Sequence, residues 1–212
     1  MTAAGTAQKQ GQARRDELRA QVLSIVEKQL RSGATYADIN VASVVAEAGI
    51  SRSTFYAYFV DKSTLLRNWY AEFTQVILNA VQSWWSLDGT ATKADVRAAL
   101  EVIMDAYRAH PELIAATHEA IGTDHGVREA VDDAMRRYID GLRAHIETGQ
   151  AEGSIDPSLP AAETAYWLQW MAERGLHRMV RAESESSQAR LAEAYASIVW
   201  NTLYAPTRRN SG

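Results

Sequence analysis

Residues 50–59 read ISRSTFYAYF, and this short stretch is the most informative part of the chain. On a helix, Phe55 and Phe59 lie one turn apart on a face that can be buried with Ile50. The opposite face then carries guanidinium, hydroxyl and phenol groups, which come from Arg52, Ser53, Thr54, Tyr56 and Tyr58. Such groups hydrogen-bond base edges and phosphates. The stretch therefore predicts a short helix with an apolar inner side and a polar outer side.

A second short helix is expected directly before it, over residues 41–48. Asn40 can cap this helix and Ser51 the next one, because a side-chain oxygen at the N-cap accepts from a free backbone N–H. Gly49 suits the left-handed conformation that ends many helices. A longer helix precedes both from residue 14, shown by an apolar stripe at three- and four-residue steps (Leu18, Val22, Ile25, Val26 and Leu30). This order of elements predicts a helix-turn-helix.

The rest of the chain also has helical periodicity and lacks strand signals. Further helices are expected at about 61–86, 92–109, 111–121, 125–152, 160–182 and 187–204, which makes the chain all-α with about nine helices. Residues 1–13 are small and polar, and we expect a disordered arm there. The predicted domains are a helix-turn-helix domain over residues 14–67, a ligand-binding and dimerisation bundle over 68–206, and a flexible tail over 207–212.

The pattern alone fits two alternatives equally well: a DNA-binding hairpin, and an amphipathic helix pair with a structural role inside a helical bundle. A resemblance favours the DNA-binding alternative. Residues 46–51 (AEAGIS), residues 54–59 (TFYAYF), Asp61-Lys62 and Leu65-Leu66 together resemble the signature of the TetR family of transcriptional regulators, over roughly residues 14–67. Trp170-Met171-Ala172-Glu173-Arg174 and residues 199–204 (VWNTLY) resemble the ethionamide-resistance regulator subgroup of that family.

The TetR resemblance implies that Arg52, Ser53 and Thr54 read base edges, and that Tyr56, Tyr58 and Lys62 contact phosphates. The start of a helix also favours phosphates near Lys62. The predicted DNA-contact set, with the two capping residues included, is Asn40, Ser51, Arg52, Ser53, Thr54, Tyr56, Tyr58 and Lys62. The expected partner is a palindromic operator in double-stranded DNA, bound by a homodimer.

The overall charge of −4 argues at first against nucleic acid as a partner. It averages over two unlike parts, because residues 1–70 carry +3 and the remaining residues −7. The basic excess therefore lies on the helix-turn-helix, which agrees mildly with DNA binding.

The bundle is rich in aromatic residues and methionine, which either pack as an ordinary core or line a cavity for a small, mostly apolar effector. The predicted ligand-binding residues are Met104, Tyr107, Met135, Tyr138, Trp167, Gln169 and Trp170, with Gln169 as the polar group among apolar neighbours. Helix 160–182 is apolar on nearly all sides at its start, so one side should face a second subunit. The predicted dimer-interface residues are Arg174, Tyr195, Val199 and Trp200.

No enzyme, cofactor or metal is expected. The chain has no cysteine, which excludes a disulfide scaffold, a zinc ribbon and a cysteine nucleophile. His118-Glu119 begins like a zinc-protease helix, but Gly122 stands where the second histidine is required. No apolar run is long enough to span a membrane and no secretory leader is apparent, so a cytoplasmic location is expected.

The function predicted is a ligand-responsive regulator, most simply a repressor. The alternative is a helical dimerisation module that binds a protein partner, with the hairpin in a structural role.

Overall fold

The computed structural model of the chain describes residues 3–182 and 184–205, apart from the side chains of residues 3–8, 10 and 182. These residues form nine α-helices and no strand, so the predicted all-α class is confirmed. The helices are α1 (Ala3–Arg31), α2 (Val41–Ala48), α3 (Arg52–Tyr58), α4 (Lys62–Trp85), α5 (Lys93–Ala109), α6 (Pro111–Ala120), α7 (His125–Glu152), α8 (Ala161–Ala182) and α9 (Glu185–Leu203).

The main difference from the predicted helices lies at the start of α1. A disordered arm was predicted over residues 1–13, but the described part of this segment is helical from Ala3 onwards. Alanine, glutamine and lysine favour helix without giving an apolar stripe, so periodicity alone did not reveal the extension. Residues 1 and 2 and the predicted tail over 207–212 lie outside the described residues.

The chain divides into two compact units. The first runs to Tyr70 and also takes in Glu112–Arg128, which contains α6. The second consists of Ala71–Pro111 and the chain from Glu129 onwards. The predicted domain boundary lies between residues 67 and 68, whereas the first unit extends to Tyr70 and also includes α6.

The first unit has its own apolar core. Phe55 and Phe59 are buried on the inner side of α3, with ring centroids 5.1 Å apart. Their neighbours in the core of this unit come from α1, α2, α4 and α6, and include Val22, Val26, Val44, Val45, Leu65, Leu66, Leu113 and Ile114. Because α3 has only seven residues, it depends on this packing for its stability.

Caps and one glycine fix the turn between α2 and α3. The side chain of Asn40 accepts from the backbone N–H of Ser43 at 2.9 Å, and that of Ser51 accepts from Thr54 at 3.0 Å. Gly49 has φ +65°, in the left-handed region where a side chain is unfavourable. Both caps and the role of Gly49 agree with the sequence analysis.

In the second unit, α5 packs against α8 and α9, which also pack against each other. Lys93 and Arg97 of α5 form ion pairs with Glu193 of α9 at 2.8 and 3.2 Å. In the interior, the Trp84 indole N–H donates to the Tyr204 hydroxyl at 2.9 Å, and His145 Nε2 lies 2.7 Å from the same oxygen. Burial lowers the pKa of His145 and raises that of Tyr204 to about 12.

Candidate nucleic-acid interface and enclosed cavity

The outer face of α3 presents polar side chains to solvent. Arg52 and Ser53 are exposed, and Tyr56 is 53% exposed although its neighbour Phe55 is buried. The inner side of α3 is anchored in the core and its first turn is capped, so this outer face is held on a rigid element. A short, rigid helix with arginine, hydroxyl and phenol groups on its free side matches what major-groove recognition requires.

At the start of α3, the hydroxyl group of Ser51 contacts two other hydroxyl groups. Ser51 Oγ lies 2.7 Å from Ser53 Oγ and 2.8 Å from Thr54 Oγ1, in addition to its bond from the Thr54 backbone. The oxygen of Ser51 is thus largely occupied by capping, as the side-chain oxygen of Asn40 is at α2. The exposed members of the predicted set are Asn40, Ser51, Arg52, Ser53 and Tyr56, whereas Thr54, Tyr58 and Lys62 are half-buried.

Tyr58 and Lys62 both have partners within the chain. The Arg15 guanidinium lies 5.5 Å from the centroid of the Tyr58 ring, which is half-buried. Lys62 Nζ donates to the carbonyl oxygens of Tyr36, Ala37 and Ile39 at 2.9, 3.2 and 2.9 Å. An ammonium group has three N–H donors, and here each has an acceptor. In this structure Lys62 holds the loop between α1 and α2 against the start of α4, and its predicted phosphate contact stays a prediction.

The sequence analysis missed that α6 is tied to this loop and that the turn after α6 is tied to the start of α4. The Glu119 carboxylate accepts from the backbone N–H groups of Tyr36 and Ala37 at 3.0 and 3.2 Å. Asp124 accepts from the Ser63 hydroxyl, a bond that lowers the pKa of Asp124. These pairs are 61 to 83 residues apart in sequence, so no local spacing could have revealed them.

The second unit contains a narrow cavity of about 30 Å³. That is room for about two water molecules. Its wall is formed by α4, α5, α7, α8 and α9 through Ile77, Val81, Trp84, Trp85, Leu100, Ile103, Met104, Tyr107, Tyr138, Gln169, Ala172, Glu173, Leu176 and Tyr195. A drug-sized ligand needs roughly ten times this volume, so it would have to open the cavity on binding.

Four of the seven predicted ligand-binding residues line this cavity: Met104, Tyr107, Tyr138 and Gln169. The other three do not. Met135 is buried in the packed core, and Trp170 is half-buried beside Tyr166. Trp167 is 71% exposed and does not line this cavity. On α8, Trp167 and Gln169 are only two residues apart yet point to opposite sides, and an all-round apolar sequence did not reveal which side was inward.

Several polar groups reach the cavity wall. Glu173, 5% exposed, is the only charged side chain in the wall, and Gln169 stands one helical turn before it. The Arg174 Nε lies 3.5 Å from a Glu173 carboxylate oxygen, but Arg174 itself is mostly solvent-exposed. The Tyr138 hydroxyl donates to the Thr74 carbonyl at 3.3 Å. Burial raises the pKa values of Tyr138 and Tyr195, so both phenols stay protonated at neutral pH.

The predicted dimer-interface residues lie in different surroundings. Val199 is 0% exposed within the single chain, so it presents no surface to a partner here. Tyr195 lines the cavity. Trp200 is half-buried, with its ring centroid 5.4 Å from that of Tyr204, and Arg174 is exposed. Exposed apolar side chains on the same two helices, Tyr166, Trp167, Met171, Leu191 and Ile198, form what we call the α8–α9 outer face.

Among the described residues, no group of three or more potential ligands is arranged to hold a metal ion. In the same part of the chain, no helix is both long enough and apolar enough to cross a lipid bilayer.

Known proteins share both the fold and the sequence pattern. The chain is 24% identical over 194 residues to the HTH-type transcriptional regulator EthR of Mycolicibacterium smegmatis, which covers 89% of this chain and 87% of the relative. It is 28% identical over 174 residues to EthR of Mycobacterium tuberculosis, covering 81% of each. A TetR transcription regulator from Haloarcula marismortui has the same fold, with a TM-score of 0.70, 15% identity, and coverage of 89% of this chain and 99% of that one.

These relatives, together with the fold, place the chain among helix-turn-helix transcriptional regulators of the TetR type. The profile of the C-terminal domain of transcriptional regulator EthR matches residues 96–205, which is more than half of the chain. The chain therefore belongs to the EthR family. The resemblance found at residues 46–66 and 170–174 is confirmed by these relatives.

Proposed function

We propose that this chain is a homodimeric repressor that binds a palindromic operator through α3 and is released by a small, mostly apolar effector. The observation that carries the DNA-binding part is the outer face of α3, where Arg52 and Tyr56 are exposed while Phe55, between them in sequence order, is buried. Arginine is well suited to bidentate contact with guanine, and a phenol reaches a phosphate oxygen. Lys62 is not part of the proposed DNA contact.

The DNA-binding proposal is tested by selecting duplexes from a random library with the wild-type protein and measuring their retardation. We expect an inverted repeat, because a two-fold dimer reads two equivalent half-sites. Arg52→Ala and Tyr56→Ala should abolish retardation while the proteins remain folded. The control is Arg136→Ala, which removes an exposed arginine from α7. If both α3 variants bind as the wild type does, α3 is not the recognition helix.

The homodimer is supported by the α8–α9 outer face. Five large apolar side chains are exposed there within one chain, and burying them against a second copy would remove them from water. We expect Trp167→Glu to convert the dimer to a monomer, measured by light scattering after size-exclusion chromatography. The control is Val102→Glu, which places the same charge at an exposed apolar residue of α5. A dimeric Trp167→Glu variant would contradict this interface.

The effector part is supported by the cavity and by the course of α4. This helix of 24 residues supplies Ile77, Val81, Trp84 and Trp85 to the cavity wall, and its first residues follow α3 directly in the chain. A ligand that opens the cavity must displace part of its wall, including α4. If that displaced state binds the operator less well, the ligand and the DNA oppose each other by linkage.

Filling the cavity tests this proposal. Ala172→Leu adds a side chain into a space that holds about two water molecules, so it should block the effector and leave operator binding intact. The readout is the concentration of an apolar compound needed to release operator DNA. The control, Ala162→Leu, makes the same change at an exposed position of α8. Normal release by the Ala172→Leu variant would show that the effector binds elsewhere.

A further inference from the structure

The cavity wall has an uneven charge. Glu173 contributes a carboxylate that is 95% removed from solvent, and no lysine, arginine or histidine lines the cavity. On α8 the cavity side is formed by Gln169, Ala172, Glu173 and Leu176, whose spacing of three and four residues places them on one face of the helix. The alanine between the two polar residues leaves space beside the carboxylate.

Aromatic rings make up much of the remaining wall. Trp84 and Trp85 come from α4, Tyr107 from α5, Tyr138 from α7 and Tyr195 from α9. The faces of such rings carry partial negative charge and attract cations, most strongly where water is excluded. The phenols stay neutral because burial raises their pKa values, so they act through their rings and hydroxyl groups rather than as anions.

We infer that the effector of this chain is an apolar cation, an amine or ammonium group on a hydrocarbon body, whose charged head lies beside Glu173 and against the aromatic wall. This inference rests on the proposed effector cavity and specifies its ligand class. Moving a cation out of water is unfavourable unless it finds an opposite charge, and Glu173 supplies one. The Arg174 guanidinium, whose Nε lies 3.5 Å from a Glu173 carboxylate oxygen, is outside the cavity wall with most of its side chain in solvent, so Glu173 is the acidic group that a ligand meets in that wall. An anionic ligand would meet only a like charge, and a neutral ligand would gain no charge pairing.

Three compounds of equal length separate these possibilities: hexylamine, 1-hexanol and hexanoate. At pH 7 they are a cation, a neutral molecule and an anion. Binding is measured by titration calorimetry on the wild-type dimer, and release of operator DNA is measured in parallel. We expect hexylamine to bind about tenfold more tightly than 1-hexanol, corresponding to one well-placed charge interaction, and hexanoate to bind most weakly.

The variant Glu173→Gln keeps the size of the side chain and removes its charge. It should lose the preference for hexylamine over 1-hexanol while binding 1-hexanol within about twofold of the wild type, since that ligand relies on apolar contact. The control Glu163→Gln makes the same change at an exposed residue of α8 and should keep the preference. The three-compound series on the wild type stands by itself if Glu173→Gln does not fold.

The outcomes distinguish the inference from the proposed function. If 1-hexanol or hexanoate binds the wild type as tightly as hexylamine and releases DNA, the effector cavity stands and the cation preference is wrong. The same conclusion follows if a folded Glu173→Gln variant keeps the preference. If none of the three binds at millimolar concentration, the effector proposal falls, and the inference falls with it.

Discussion

The α2–α3 hairpin and the helices around the cavity use aromatic residues in opposite ways. In the hairpin, Phe55 and Phe59 are buried, whereas Tyr56 between them faces solvent. In the second unit, Trp84, Tyr107 and Tyr195 turn inward from three different helices and leave a small space between them. The functional surface of the hairpin is therefore continuous in sequence, whereas that of the cavity is assembled from five helices. A substitution in the hairpin should act locally, and one at the cavity should act through several elements.

The largest effect should come from the inner side of α3. Phe55→Ala removes a ring that is almost fully buried, and the resulting cavity should lower the free energy of unfolding by about 3–5 kcal/mol. Tyr56→Ala, one residue further, should cost less than about 0.5 kcal/mol because Tyr56 is mostly in solvent. Chemical denaturation measures both. Similar losses at the two positions would contradict the division of α3 into inner and outer faces.

Lys62 separates a structural role from a DNA contact. Lys62→Met removes three charge-assisted hydrogen bonds to backbone carbonyls, and we expect it to lower the free energy of unfolding by about 1.5–3 kcal/mol. Arg52→Met, at an exposed position with no such bonds, should change it by less than about 0.5 kcal/mol. Denaturation of both variants gives the comparison. If the Lys62→Met variant is as stable as the wild type but binds DNA weakly, Lys62 contacts a phosphate as the sequence analysis predicts.

Gly141 tests how closely the cavity wall is packed. A Cβ atom added there would lie 2.3 Å from the Trp85 indole, which lines the cavity. Gly141→Ala must therefore displace this ring, and we expect a loss of about 1–3 kcal/mol in stability together with altered hexylamine affinity. Gly175→Ala is the control, since that helical position has open space around it. Unchanged stability and ligand affinity in Gly141→Ala would show that the Trp85 position is not fixed by α7.

The smallest effect concerns pH. Burial lowers the pKa of His145 below its unfolded value of about 6.5. Between the two pKa values the unfolded state binds more protons than the folded state. The contribution of His145 to the free energy of unfolding is therefore fully present above about pH 6.5 and is lost as the pH falls toward the folded pKa. Between about pH 7.5 and 5.5, the free energy of unfolding should change less steeply with pH in the His145→Gln variant than in the wild type. The difference in slope should be up to about 1.4 kcal/mol per pH unit. Denaturation at several pH values measures this slope. An unchanged slope would mean that His145 is protonated equally in both states.

The helix-turn-helix could be predicted from the sequence because its determinants are local. Asn40 and Ser51 each cap a backbone N–H three residues further on, and Gly49 marks the turn between them. The bonds of Lys62 within the chain could not be predicted, because its acceptor carbonyls lie 23 to 26 residues earlier, in a loop without periodicity. In the bundle, the exposure of Trp167 and the full burial of Val199 could not be predicted, because a helix with apolar residues on several sides does not reveal which side meets the core.

The salt dependence of operator binding tests the central claim most directly, because it separates a DNA-binding regulator from a helical module that binds a protein partner. The affinity of the wild-type dimer for its selected duplex is measured between about 50 and 200 mM salt. We predict a steep linear fall of log K with log salt concentration, with a slope of about −0.9 for each phosphate neutralised, and tighter binding than to a scrambled duplex. Affinity that is independent of salt, or equal for both duplexes, would contradict the proposal that this chain is an operator-binding regulator.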